Sequence, residues 1–338
     1  MSLVQSFDVK RMSTFGDLAK SYIMQVQSCF RFTDKVVDVF DRYDTEHSIK
    51  SAERHRRSAT TTTQKVYHIG EGRTVPDWKK FLSSNKNKQA LITFLCDYLS
   101  RNLSDMFQEE NKCLVLAGAF SNPEIVRQLS NEHVIDLPDL FCSHEEADTR
   151  ILLHVIHSDK IFQQLNIRGR IIVKCSDTDV LVLCVHYFKV LVSTEQMWFL
   201  TGSTNSLRDC RRYIPIHELS KPLSPLLANI LPAVHALTGC DTTSAIFGFG
   251  KKTVFKLIRK SPSKFTNLQN FDKIDFSTSL SAARELISSL YDPKDKFASS
   301  HVDLNKLRVK LATCKDTKDI DLEDQMNDDD ENENDTID

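Results

Sequence analysis

The sequence predicts an α/β protein built on a largely parallel sheet with helices packed around it. Two observations predict it. Short apolar runs of strand length alternate with longer stretches of helical periodicity, the pattern left by parallel strands joined through crossover helices. In addition, Asp41, Asp177 and Asp179 follow directly on strand-like runs, at the carboxyl-terminal strand ends where sheets of this class hold their ligands.

Taken in order, FGDLAKSYIMQVQSCF (15–30) has apolar residues at helical spacing, and KVVDVF (35–40) reads as a buried strand. A polar, basic segment (41–65) leads to VYHI (66–69), a short strand, and to residues 76–103, which predict two helices broken near 83–87. KCLVLAG (112–118) is strand-like, SNPEIVRQLS (121–130) predicts a helix capped by Ser121, and HVIDL (133–137) is another short strand. SHEEADTRILLHVIHSD (143–159) predicts a helix with Ser143 as its N-cap and acids complementing the dipole of its first turn. RIIVKC (170–175) and QMWFLTG (196–202) are strands, and LLANILPAVHALTGC (226–240) is a helix interrupted near Pro232. The remainder, to about residue 312, is mixed and mainly helical, and no internal repeat is visible.

A chain of 338 residues has enough material for about two domains. With 41% apolar and 27% charged residues, its composition is that of an ordinary soluble globular protein. No stretch approaches the roughly 18 apolar residues of a membrane span, and MSLVQSFDVKRM has no secretory pattern. Nine cysteines without a CxxC pair fit reduced thiols in an intracellular protein better than a disulfide framework. The net charge of -2 conceals an asymmetry: residues 319–338 carry eleven acids and no Lys or Arg, leaving 44 basic against 35 acidic residues in the body. Such a tail repels itself and buries nothing, so residues 313–338 are expected to be disordered, as a solubilising tail or as a nucleic-acid mimic competing for the basic body.

Three short stretches share a character: SHEEADTR (143–150), SDTDV (176–180) and TGCDTTS (238–244). Each sets carboxylates at a helix start or a strand end, and VFDRYD (39–44) adds Asp41. Carboxylates converging in one cleft repel and call for divalent cations; Mg²⁺ takes hard oxygen ligands and is commonly shared between a few carboxylates and a phosphate. Two such ions activate a water and stabilise the leaving oxygen of a phosphodiester. Each stretch taken singly also suits a plainer role, as a helix cap or a dipole complement.

In this order, HEEAD, SDTDVLVL and GCDTTSAIFGFGKKTVFKLI resemble the flap endonuclease/XPG group of PIN-like nucleases, and above all its asteroid-like and transposon-associated members. The resemblance implies a PIN-like (Rossmann-like) domain over residues 1–240 with a helical insertion at about 66–132. A helix–two-turn–helix-like DNA-binding element and further helices would follow over 241–312. It implies metal ligation by Glu146, Asp148, Asp177, Asp179 and Asp241, with Asp41 as a supporting site acid and Glu145 as the alternate in a shifted register. The cofactor would be two Mg²⁺ or Mn²⁺ ions. Gly248, Gly250, Lys251 and Lys252 match the family's DNA-gripping turn, and Lys50, Arg54, Arg56 and Arg57 its basic segment over the scissile phosphate. The family pattern opens with a strand ending I-D-G or I-D-A, and MSLVQSF matches the segment just after that aspartate.

The expected activity is therefore structure-specific cleavage of flapped or branched DNA, with RNA as another possible substrate and the nucleus as its place. The alternative is a catalytically inactive nucleic-acid-binding or scaffolding protein derived from such a nuclease. Other residues say less. GFGKKT does not fit a Walker A loop; glycines before a helix start with lysines attached suit a phosphate, or an ordinary turn. Tyr43 offers a ring for base stacking. His154 and His157 lack partners at zinc-site spacing, His144 is a candidate cap, and no Ser/His/Asp or Cys/His nucleophilic arrangement is recognisable.

Overall fold

The computed structural model describes residues 9, 12–43, 65–107, 109–118, 120, 122–131, 133–202, 204–205, 208–269, 271, 273, 275–291 and 304–314. The basic residues Lys50, Arg54, Arg56 and Arg57 and the acidic tail from 315 onward lie outside them. The chain divides into two compact units, Met1–Ala245 and Ile246–Asp338. No helix among the described residues is long and apolar enough to cross a membrane.

The first unit is mixed α/β. Helix α1 (Phe15–Phe30) starts at a capping box, in which the Thr14 hydroxyl accepts from the Asp17 N–H and the Asp17 carboxylate accepts from the Thr14 N–H. Strand β1 (Lys35–Val39) follows, then α2 (Trp78–Leu82), α3 (Asn85–Arg101), α4 (Leu103–Met106) and strands β2 (Cys113–Ala117), β3 (Val126–Leu129) and β4 (Val134–Asp136). These strands form one sheet in the order β1-β2-β3-β4, parallel only between β1 and β2. Alternation along β2 serves two cores: Leu114 and Leu116 join the α1/α3 cluster, while Val115 and Ala117 pack with Val126 and Leu140 on the other face. β1 itself is half-buried rather than buried.

Helix α5 (Ala147–Gln164) leads to β5 (Gly169–Lys174), α6 (Thr178–Phe188), β6 (Thr194–Thr201), a minimal hairpin of β7 (Thr204–Asn205) and β8 (Arg208–Asp209), then β9 (Arg212–Pro215), α7 (Ile216–Ser220) and α8 (Pro225–Leu237). The second sheet has the order β5-β6-β9, with β5 and β6 parallel and β9 antiparallel. Helix α5 packs against both β1 and β5, and its Leu152 and Val155 enter the core of the second sheet with Val173, Val180 and Phe199.

Several expectations are corrected. The single, largely parallel sheet is replaced by two small mixed sheets. Residues 66–69 form no strand, because the Tyr67 N–H donates to Asn87 Oδ1 at 3.0 Å, and buried Asn87 also donates to the Lys65 and Phe81 carbonyls. The described residues of the stretch 121–130 form no helix but carry β3, whose Val126 and Leu129 are buried against β2. The stretch 66–132 therefore supplies helices but also two strands of the first sheet. Helix α5 begins at Ala147 with Glu146 as N-cap, not at Ser143.

Helix α8 runs through Pro232 without a break. Proline has no N–H to offer the carbonyl four residues back. That carbonyl, of Ala228, instead pairs with His186 Nδ1 at 2.8 Å.

In the second unit, α9 (Lys251–Lys260) is followed by a 3-10 turn (Pro262–Leu268), α10 (Phe276–Tyr291) and α11 (Leu304–Cys314). Val254, Ile258, Phe265, Leu268, Ala282 and Leu286 are buried there.

Candidate functional site

The acidic stretches lie beside two strand ends: VFDRY is joined to HEEAD just after β1, and SDTDV follows β5 and is joined to α8. β1 is drawn to its end by the Phe40 N–H, which donates to Ala117 O at 2.9 Å. Asp41 follows, and its Oδ1 accepts from the Ala147 N–H at 3.0 Å. Asp41 thus satisfies an open donor of the first turn of α5 and places its charge at the positive end of that helix. The Tyr43 hydroxyl donates to Asp41 Oδ2 at 3.1 Å, and the Arg42 N–H donates to Glu145 O at 2.9 Å. The VFDRY segment is in this way fastened to HEEAD, with Glu145, Glu146 and Asp148 half-buried beside it.

Arg150, also in this stretch, holds the platform from beneath. Its side chain is buried. Nη1 donates to Phe40 O at 3.4 Å, and Nη2 to Pro123 O at 2.5 Å and Cys142 O at 3.2 Å. One guanidinium therefore ties the end of β1, the turn before β3 and the approach to α5. Gly118 leaves room for it: a Cβ there would stand 2.0 Å from Arg150 Nη1, and its φ of +84° favours glycine in any case.

On the second sheet, Cys175 continues β5 by donating its N–H to Leu200 O at 3.0 Å. Asp177 then caps α6, its Oδ1 accepting from the Asp179 N–H at 2.9 Å. Asp179 Oδ1 in turn lies 2.8 Å from His235 Nε2 on α8. Beyond α8 the chain turns tightly: Gly239 has a φ of +105°, Thr243 Oγ1 donates to Ala236 O at 2.5 Å, and the Cys240 N–H donates to Thr243 Oγ1 at 3.0 Å. This turn presents Asp241, which is exposed.

Two thiols near these acids are shifted in opposite directions. Burial pushes the Cys175 thiol up, an N–H from Asp177 at 3.4 Å opposes this, and the charges of Asp177 and Asp148 add to the rise. Burial also acts to raise the Cys240 thiol, but hydrogen bonds from Thr242 and Thr243 outweigh it and lower it, against the charge of Asp179.

The donor chemistry, hard carboxylate oxygens, suits Mg²⁺ or Mn²⁺. Among the described residues, however, no group of three or more His, Cys, Asp or Glu side chains is placed to hold one ion. Asp41 and Asp177 serve as helix-start acceptors, and Asp179 is engaged by His235.

Other expected residues fall as follows. Tyr43 packs against the first core with Lys88 over its ring at 5.0 Å and its hydroxyl on Asp41, so its ring is not set out for a base. His144 is exposed and lies outside the cap of α5. His154 is buried, and burial lowers its pKa to about 3, so it is a neutral core residue. In the second unit, Gly250 is the N-cap of α9, and Lys251 and Lys252 are its first two residues, all exposed. Gly248 has a φ of +82°, whereas Gly250 has an ordinary one of -79°. The turn is braced by the Tyr291 hydroxyl donating to Phe247 O at 2.7 Å and by Phe249 set edge-on to the Tyr291 ring.

Sequence reasoning gave no role to Arg150 or His235. Arg150 lies inside a quoted motif, but its importance comes from carbonyls distant in sequence; His235 carries no motif signal. No protein-family model, curated protein or solved structure matches this chain.

Proposed function

We propose that the chain is a divalent-cation-dependent phosphodiesterase of the flap endonuclease/XPG-type, PIN-like group, acting in the nucleus on flapped or branched DNA. The observation that carries this reading is the hydrogen bond from Ala147 to Asp41, 106 residues apart. It joins two of the acidic motifs beside the carboxyl-terminal end of β1, the ligand side of an α/β sheet. Support also comes from Asp177, which caps α6 just after β5, at a second strand end. The PIN-like arrangement of the first unit and the helix–two-turn–helix character of the second belong to the same proposal.

Glu146, Asp148, Asp177, Asp179 and Asp241 would hold the cations, with Asp41 in support. When bound, such ions supply an activated water and stabilise the leaving oxygen. The chain's own part is to keep the carboxylates in place: Asp41 and Asp177 fix the starts of α5 and α6, and Arg150 keeps the strand end and loop beneath them together. Lys251 and Lys252 would contact backbone phosphates from a helix start, where N–H groups and the dipole also favour an anion. Each such contact contributes a salt-dependent factor to affinity.

The test is cleavage of a labelled 5′-flap DNA with Mg²⁺ or Mn²⁺ by the parent chain and its Asp179→Ala variant. Metal-dependent cutting lost in the variant, with DNA binding kept, is the expected result. Equal cutting by both removes Asp179 from the site and sinks the assignment. A second reading, a non-cleaving nucleic-acid-binding or scaffolding protein, is favoured by the absence of a three-ligand cluster among the described residues. It predicts flap binding without cutting by either protein.

A further inference from the structure

Apolar side chains scattered singly over a surface are ordinary and need no explanation. Phe247 differs in how its backbone is held. It is 91% exposed, the most exposed of the large apolar side chains among the described residues. Its carbonyl accepts from the Tyr291 hydroxyl at 2.7 Å, and the Phe249 ring meets the Tyr291 ring edge-on with centroids 4.9 Å apart. Between the two phenylalanines Gly248 takes a φ of +82°, a left-handed turn that leaves Phe249 on Tyr291 and Phe247 in solvent. A ring that buries almost no area adds little to stability, yet the turn beneath it is ordered by contacts from α10.

The turn leads directly into α9, whose sequence KKTVFKLIRK holds five Lys or Arg and no acid. Val254 and Ile258 are buried on one side of this helix. Helical spacing therefore gathers Lys252, Lys256, Arg259 and Lys260 on the opposite face, where all four are exposed. Proteins that hold single-stranded nucleic acid combine a cationic track for the phosphates with aromatic rings on which bases stack. The charge on α9 is complementary to such a polyanion, and Phe247 stands at the head of the track. A duplex has less use for the ring, because its bases are already stacked on one another.

We infer that Phe247 is a base-stacking residue: the turn before α9 takes an unpaired nucleotide onto its ring, and the basic face of α9 follows the neighbouring phosphates. The inference rests on the nucleic-acid reading above and assigns the second unit to the unpaired arm of the substrate rather than to its duplex.

The test uses the full chain in EDTA, so that binding is measured without cutting. The probe is a single-stranded DNA of about 12 nucleotides, within the span of known single-strand sites, with one central 2-aminopurine whose fluorescence drops on stacking. A blunt duplex of the same sequence is the comparison. Phe247→Ala is expected to weaken single-strand binding about 5–150-fold and to abolish the fluorescence drop, while Phe247→Trp keeps both. Duplex binding and the thermal midpoint stay as in the parent. The slope of log K against log salt is unchanged in Phe247→Ala and falls by about 0.7 in Lys252→Gln; an unchanged slope in Lys252→Gln removes α9 from the contact. Unchanged single-strand affinity in Phe247→Ala overturns the inference. An equal loss on the duplex overturns it too, since the ring would then be meeting backbone or groove instead of a base. A parent that binds only the duplex overturns the inference and leaves the nuclease reading standing. A parent that shows the expected pattern but does not cut flap DNA with Mg²⁺ refutes the nuclease reading alone. A parent that binds neither probe refutes both.

Discussion

Replacing Arg150 with lysine keeps the buried charge but removes the fork that spans three segments, and the cost follows from the geometry. The guanidinium reaches Phe40 O through Nη1 and the Pro123 and Cys142 carbonyls through Nη2. An ammonium is a compact point charge on a flexible stem and does not reproduce a planar fork. It reaches one of these groups well, leaving two bonds broken. Hydrogen bonds to charged groups contribute about 1.5–3 kcal/mol each, so the low end of the range gives a loss of about 3 kcal/mol. With a urea m-value of about 2 kcal/mol/M, this lowers the unfolding midpoint by about 1.5 M. Both tryptophans, Trp78 and Trp198, lie in the first unit, so their fluorescence follows the unfolding of that unit. A midpoint shift below about 0.3 M at unchanged m would refute the reasoning. It would mean that the three carbonyls are satisfied without the fork.

Two further perturbations separate acids that the fold favours in opposite charge states. Asp159 accepts from the Ser193 and Thr194 N–H groups and the Thr194 hydroxyl through Oδ1, and from the Val192 N–H and Gln163 through Oδ2. Burial acts to raise its carboxyl, but these hydrogen bonds together lower it below the ordinary value. Its contribution is therefore present above about pH 4 and lost as pH falls through the lower folded value. Asp159→Asn is expected to lose about 2–4 kcal/mol at pH 7, with the gap to the parent narrowing in acid; a gap independent of pH would contradict the charge-based account. Asp38 is the opposite case: burial raises its carboxyl, against hydrogen bonding from the Tyr22 hydroxyl. The folded state then holds the proton more tightly, and stability declines as pH rises above the unfolded value. Asp38→Asn should raise the urea midpoint at pH 7 and lose that advantage near pH 4, and a lowered midpoint at pH 7 would count against it.

What was legible in the sequence and what was not divides by the distance of the deciding contact. Helix 15–30, and strands at 35–39, 113–117 and 169–174, are written in local spacing, and the structure shows them there. Residues 126–129 contain nothing that rules out a helix; pairing with β2 makes them a strand. Pro232 suggests a break because the group that answers the freed carbonyl, His186, is 42 residues away. The same holds for the candidate site. Carboxylates in short motifs can be picked out by type and spacing, whereas Arg150 acts on a carbonyl 110 residues away and His235 on an acid 56 residues away. Asp177 is half legible: a cap and a ligand look alike in sequence, and the structure shows the cap.

The bond between His186 and the Ala228 carbonyl has a mechanical meaning alongside the one between Asp179 and His235. On each helix the two tethered residues are seven apart, and the order is reversed: the start of α6 meets the end of α8, and the end of α6 meets the start of α8. The helices are thus joined like a ladder with two rungs, about 10 Å or two turns apart. Sliding one helix along the other breaks both rungs together. Inserting one residue between the rungs turns the far side chain about 100° away from its mate. A proline that looks like a defect in α8 therefore helps to set the register of the helix that Asp177 caps.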